Sequence, residues 1–329
     1  MKFLPTFLCI GLLMLQSCSS SADDCEPGPL EFPNQQGEID GTAYANSLLD
    51  CRLPKVQTFE VNSHQGAEIF ADQGTIFTIY PNIFFEMDGT PVEGLVTFSV
   101  LEMYNPGEII ACQLSTNGLN EAQSIEPLLS ENILFLSASH NGNPLMIEGE
   151  LMVFIPSENR DLELSVFNSP SCPNIECEVL WEKLPRSIVY DEPYTDAAGN
   201  VSLGYRSFLN NLGWFSIARY NKSEEERGIL YNKAHSPYSL LNSKVFLKYD
   251  SNSTAIGMFS EYDEVNEVFS EKYREIPNNT SGNVIFVSKP ENHFNFEASE
   301  VITSDGKITI TRDLQIGSES ELIDYINNL

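Results

Sequence analysis

From about residue 56 onward, short apolar runs alternate with turn-forming residues. Val96, Phe98 and Val100 alternate with Thr97 and Ser99, the period of two expected of a strand with one face in a core. Residues 56–61, 67–71, 75–80, 133–138 and 150–155 read as further strands. Asp88-Gly89-Thr90-Pro91 and His140-Asn-Gly-Asn143 read as turns between strands. Strands at roughly ten-residue spacing predict a β-sandwich over residues 56–170. Residues 213–220, 244–249, 255–260, 283–288 and 307–311 predict a smaller β-rich domain over 171–329, with Asp305-Gly306 placed as a hairpin turn. The segment 203–212 reads as a short helix or an irregular stretch. At the end of the chain, Ser318 is an N-cap candidate followed by Glu319 and Glu321. Leu322, Ile323, Tyr325, Ile326 and Leu329 make one apolar stripe, so the chain is expected to close on a helix. The expected fold class is mainly β: an N-terminal sandwich, then a smaller β-rich domain with a C-terminal helix.

The first 55 residues have a different texture. Lys2 followed by the apolar run 3–15 has the anatomy of a secretory signal over residues 1–17, and the run is short for a membrane span. Leu15-Gln16-Ser17-Cys18 resembles the bacterial lipobox, which implies that Cys18 is lipidated and becomes the mature N-terminus. Multiple acyl chains, each buried CH₂ contributing about 0.8 kcal/mol, make such an anchor firm. Asp23 and Asp24 resemble the acidic signal that sends some lipoproteins to the outer face. Residues 18–55, rich in Ser, Pro, Gly, Asn and Asp, read as a flexible tether. The expected location is the outer membrane of a Gram-negative bacterium, with the lipid as the membrane partner.

Charge narrows the partners further. The 329 residues carry 18 Lys and Arg against 47 Asp and Glu, a net charge of −29. Nucleic acid and bare anionic lipid are disfavoured, since both call for a basic surface. An exported chain permits disulfides. Cys172 with Cys177 would close a small loop and mark the domain boundary. Cys25 with Cys51 would staple the N-terminal segment, leaving Cys112 as a buried thiol.

The string Gly74-Thr-Ile-Phe-Thr-Ile-Tyr-Pro81, Phe85 and Asp88-Gly-Thr-Pro-Val-Glu-Gly-Leu-Val-Thr-Phe98 resembles a recurrent envelope sandwich, and Leu114-Ser-Thr-Asn-Gly118 and Asn141-Gly-Asn-Pro-Leu145 continue it. The resemblance is to a family of bacterial envelope lipoproteins. Their first domain is similar to the β-sandwich of ankyrins, zonula occludens proteins and netrin receptors. Gly213-Trp214 matches the segment that follows the sandwich in those lipoproteins. The resemblance implies a fold and, through the eukaryotic sandwiches, protein binding; it carries no chemistry.

Catalytic signatures are sparse. His64, His140, His235 and His293 form no metal-binding or nucleophile-activating spacing. No nucleophile elbow, phosphate loop or zinc motif occurs, and neither a cofactor nor a metal is expected. Glu148 with Glu150, and Glu261, Asp263, Glu264 and Glu267, are carboxylate groups without a motif. A glycosidase would need a pair about 5–10 Å apart beside sugar-stacking aromatics. Asp250, Asn252, Thr254 and Glu261 match the spacing of a calcium loop, but Ala255 replaces its turn glycine, so a hairpin turn is the stronger reading. The expectation is a non-enzymatic binding or scaffolding module for a protein or glycan. Its contact loops are sought around Tyr104, His140 and Glu224 to Arg227. The alternatives are a surface hydrolase of polysaccharide or peptide, and a structural subunit of a surface assembly.

Overall fold

The computed structural model describes residues 41–158, 163–235, 237–249, 254–271 and 273–329. Cys18, Asp23, Asp24 and Cys25 lie outside the described residues. Strand makes up 47% of the chain and helix 11%.

Four sheets of four or more strands organise the described residues, beside two two-stranded pairs. Sheet I has ten strands, with Gln57–Asn62, Leu95–Met103, Ile133–His140, Gly213–Tyr220 and Ser165–Asn168 adjacent in that order. It then curls through Trp181–Lys183, Asn117–Leu119 and Ile125–Ser130, and the last of these pairs back onto Gly213–Tyr220. Sheet II runs Tyr190–Asp191, Gly204–Leu209, Leu151–Pro156, Ile76–Ile79, Ala67–Phe70. Sheet III runs Ile256–Phe259, Ser243–Tyr249, Ser281–Ser288, Phe294–Ile302, Gln315–Gly317. Sheet IV runs Glu261–Asp263, Val268–Ser270, Leu230–Lys233, Lys307–Ile310.

Alternation along the strands explains the layering. Val96, Phe98 and Val100, with Leu134, Leu136 and Ala138, join Phe77, Ile79, Val153 and Ile155 of sheet II in one apolar cluster. Phe77 and Phe98 meet edge-on at 5.7 Å, an aromatic contact across the two sheets of the sandwich. The opposite face of sheet I presents Leu101, Met103, Ile133, Phe135 and Trp214. These share a second cluster with Phe246, Ile256, Ile285 and Phe296 of sheet III and with the helices. A third cluster lies between sheets III and IV, built on Val245, Leu247, Tyr249, Phe286 and Phe269. Strands such as Ile133–His140 and Ser281–Ser288 therefore read as continuous apolar runs, because both of their faces are buried.

Several expectations change. The division at residue 170 is not a sheet boundary. Gly204–Leu209 pairs with Leu151–Pro156, and Gly213–Tyr220 pairs with Ile133–His140, so the sandwich draws strands from both sides of it. All described residues belong to one compact unit. The segment 203–212 is neither a helix nor irregular: Gly204–Leu209 is a strand, with Tyr205, Ser207 and Leu209 buried on one face. Asp305-Gly306 does not close a hairpin. The strand after it, Lys307–Ile310, leaves sheet III and runs parallel to Leu230–Lys233 in sheet IV. The Asn141-Gly142 turn does close one, with both residues at positive φ, as a two-residue hairpin requires.

The expected tether is helical at its end. Helix α1, Gly41–Arg52, continues into a 3₁₀ turn, Leu53–Lys55. Its buried residues are Tyr44, Ser47, Cys51 and Arg52, a largely polar set, so an apolar-period reading passes over it. Cys51 is bonded to Cys112, not to Cys25, and Cys112 is therefore not a free thiol. Cys172 and Cys177 form the second bridge. Arg52 is fully buried between the two. It donates to the carbonyls of Cys112, Gln113, Ile175 and Cys177 and lies 5.3 Å over the Trp214 ring. Burial pulls its guanidinium down to about 9.

Helix α2, Pro106–Ala111, is capped by the Asn105 side chain, which accepts from the Glu108 N–H. Helix α3, Glu319–Asn327, begins at Ser318 with a full capping box to Glu321, and Leu322 and Ile326 are buried. The two helices touch at Gly107, where a Cβ would stand 2.4 Å from the Ile323 carbonyl oxygen, so only glycine fits.

Candidate functional site

The residues singled out in the sequence do not converge. Tyr104 packs against the sandwich core, and its hydroxyl meets Thr75 Oγ1 at 2.7 Å; burial pushes the phenol well up. His140 pairs with Glu86 at 3.2 Å, and His235 with Glu267 at 2.9 Å, both at partly exposed positions. Asp263 is exposed and holds its own turn, accepting from the Asn266 side chain and from the N–H groups of Asn266 and Val265, which lowers its carboxyl. Glu148 and Glu150 flank Gly149 on an exposed turn. Asp250 and Asn252 lie outside the described residues; the strands flanking them form an antiparallel pair, with Tyr249 N–H donating to the Ala255 carbonyl. Both tryptophans are core residues, with Trp181 Nε1 donating to the Ser115 carbonyl and Trp214 Nε1 to that of Asn174.

Within 224–227, Arg227 leads to a site that the sequence hides. Its guanidinium donates to the Glu275 carbonyl at 2.8 Å and to Glu126 Oε1 at 3.1 Å, joining the sandwich hairpin 117–130 to the loop after Val268–Ser270. Beside it is a small recess of about 10 Å³, room for about one water molecule. Its walls are Ile125 and Pro127 from sheet I, Leu247 and Phe259 from sheet III, and Ile276. Its polar groups are Asn117, Tyr249, Glu271 and Glu275.

Local rules place each of these. Tyr249 ends Ser243–Tyr249 on the same face as Val245 and Leu247, so it points with them toward sheet IV. Gly257 faces Leu247 across the neighbouring strand pair. A stitch from sheet I fixes Asn117 alongside: Thr116 N–H donates to the Ile256 carbonyl, and Ile256 N–H donates to Thr116 Oγ1, both at 2.8 Å. The point where a Gly257 Cβ would sit is 3.6 Å from both the Tyr249 hydroxyl and Asn117 Oδ1. Glu271 is 5% exposed and closes its own turn by accepting from Tyr273 N–H at 2.7 Å and Glu275 N–H at 3.1 Å.

The electrostatics follow from burial. Desolvation raises the Glu271 carboxyl and the Glu275 charge adds to it, against the pull of the backbone donors at Tyr273, Glu275 and Arg274. Tyr249 is 4% exposed, and burial together with the Glu271 charge pushes its phenol well up, with Arg227 opposing. The recess is thus small and apolar-walled, with a buried carboxylate and a buried phenol at its polar side.

The sequence offered little signal for it. Tyr249, Gly257 and Glu271 belong to no motif, and only the meeting of three sheets brings them together. No family model, characterised protein or solved structure matches the chain.

Proposed function

We propose that this chain is a cell-envelope lipoprotein, anchored through Cys18 to the outer membrane of a Gram-negative bacterium, and that it works as a non-enzymatic binding module. The family reading, a lipoprotein whose sandwich resembles that of ankyrins and netrin receptors, is part of the same proposal. The observation that carries the binding role is the edge of the sandwich: Ala67–Phe70 ends sheet II with a paired strand on one side, and Phe70 is 55% exposed there.

Two features favour binding over hydrolysis. Both Glu271 oxygens already accept backbone N–H groups, which orients the carboxylate as a fixed acceptor and not as a mobile base. Trp181 and Trp214 are in the core with their ring N–H groups engaged, so neither offers a face for sugar stacking.

The location is tested by protease shaving of intact cells expressing the wild type, Cys18→Ala and Asp23→Ala/Asp24→Ala. Wild-type cleavage on whole cells, with the acidic-pair variant protected, is the expected result. Cleavage only after lysis would overturn outward display. Incubating the mature protein with surface polysaccharide and with peptide tests the role, and release of new reducing ends or amines would reinstate the hydrolase reading.

A further inference from the structure

Ala67–Phe70 ends sheet II, and no strand follows on its outer side among the described residues. Its ladder to Ile76–Ile79 shows which backbone groups are open. Ala71 N–H donates to the Thr75 carbonyl, and these two residues continue the register in which Ile69 faces Phe77 and Phe70 faces Ile76. Hydrogen-bonded pairs alternate along an antiparallel ladder, so Ala67 and Ile69 bond to Ile76–Ile79 while Glu68 and Phe70 turn their N–H and carbonyl groups outward. Just beyond, Asp72 N–H donates to Gln57 Oε1 at 2.8 Å, which ends the open stretch. Side chains sort by the same alternation. Ile69 is buried in the sandwich, whereas Glu68 and Phe70 are exposed on its outer surface, with the Tyr194 ring 6.3 Å from that of Phe70. Open edges are commonly guarded by lysine. Here residues 56–158 hold 14 Asp and Glu and no Lys or Arg. Lys55, just before them, is held by Glu108 and Glu319. Glu60 on the neighbouring edge strand Gln57–Asn62, Glu68 and Asp72 are all exposed.

We propose that the outer edge of Ala67–Phe70 takes up an extended basic segment of a partner protein as an added antiparallel strand, with Lys or Arg opposite Glu68 and Asp72 and an apolar residue opposite Phe70. The open groups of Glu68 and Phe70 supply main-chain pairing, and alternate side chains supply selectivity. Opposite charges facing each other across a strand pair attract, and like charges repel. A second copy fits this edge poorly, because pairing two chains of net charge −29 would bring Glu68 and Asp72 of one toward those of the other. Phe70 gives the added strand an apolar contact on the outer surface, and Ile69 continues the core beneath it. The proposal rests on the reading of the chain as a binding module and names the chemistry of its partner.

The test uses the full mature chain in about 150 mM salt, which screens diffuse attraction of cations to the acidic surface. The probes are end-capped peptides titrated by amide-shift NMR of the isotope-labelled protein. Lys-Val-Leu-Val-Lys sets its basic residues opposite Glu68 and Asp72 and its leucine opposite Phe70, and the Glu68 and Phe70 amides should shift. Gln-Val-Leu-Val-Gln should bind about fivefold more weakly, having lost its exposed ion pairs. The Lys peptide methylated at its leucine and lysine nitrogens keeps its charge and loses its backbone donors, and should bind at least about tenfold more weakly. Glu68→Lys should remove most of the preference for the Lys over the Gln peptide. Phe70→Pro deletes an outward N–H and no ladder bond, so an unchanged melting temperature verifies the fold while Lys-peptide binding falls at least about tenfold. If that variant melts early, the methylated peptide decides in its place. If the Gln peptide binds as tightly as the Lys peptide and Glu68→Lys changes nothing, the basic assignment is overturned while the edge remains a binding site. If methylation or a folded Phe70→Pro leaves binding unchanged, or no peptide binds, the edge is not the site, and both this proposal and the binding role given to the edge fail. A dimer of the chain that Phe70→Pro dissociates would give the edge to a second copy and overturn the proposal.

Discussion

The two disulfides close loops of very different size, and that difference sets their contributions to stability. Cys51–Cys112 spans a sequence separation of 61 and Cys172–Cys177 one of 5. If a bridge acts by restricting the unfolded chain, the longer loop is worth about 4 kcal/mol and the shorter about 2 kcal/mol at 25 °C. Cys51→Ala/Cys112→Ala should therefore cost about 2 kcal/mol more than Cys172→Ala/Cys177→Ala. The longer bridge also fastens α1 to the residue after α2, so its loss frees a whole element. Urea unfolding of each pair of variants, followed by tryptophan fluorescence, gives the comparison; the m-value shows whether unfolding stays two-state. Arg52 bonds carbonyls belonging to both bridged segments, so the quadruple variant should depart from additivity. Equal losses, or a larger loss from the short loop, would refute the entropic account and locate the stability in local contacts.

Arg52→Met leaves four carbonyls without their donor, each costing about 1–3 kcal/mol if it stays buried and unpaired. Urea unfolding should show a loss of at least about 3 kcal/mol and near-UV circular dichroism an altered Trp214 signal, whereas a loss under about 1 kcal/mol would contradict the hub role. For Glu271, burial raises the folded carboxyl above its unfolded value. The stability it lends is present below the unfolded pKa and is lost as pH rises through the folded one. Glu271→Gln mimics the protonated acid, so its melting temperature should gain on the wild type between pH 4 and pH 7; a gap that stays constant across those melts would show that burial does not govern this group. Ser318→Ala removes a capping box and should cost about 1 kcal/mol in chemical unfolding, a loss of only a tenth or two arguing that α3 is held by packing alone.

The elements most legible in the sequence are those whose information is local. Helix α3 carries its own cap and apolar stripe, and the Asn141-Gly142 hairpin carries its own turn chemistry. The strand Leu95–Met103 shows its first face by alternation alone. Its second face, Leu101 and Met103, is apolar because another layer covers it, and no local pattern names that layer. The extent of the sandwich is non-local in the same way. Gly204–Leu209 and Gly213–Tyr220 join sheets begun more than a hundred residues earlier, so the proline-rich loop at 170–177 looks like a boundary when it is an excursion.

Composition and residue order by themselves determined the fold class and the strong acidity. Tertiary structure alone decided the partner of Cys51, since pairing depends on which cysteine comes near, and α1 docks beside Cys112 through the polar face of Tyr44, Ser47 and Arg52. It also decided the recess. Asn117, Tyr249, Gly257 and Glu271 are ordinary residues at their places in the chain. They come together because two hydrogen bonds at Thr116, one from its N–H and one to its hydroxyl, set a sandwich strand against sheet III, and because the turn at Glu271 buries a carboxylate that water would otherwise surround.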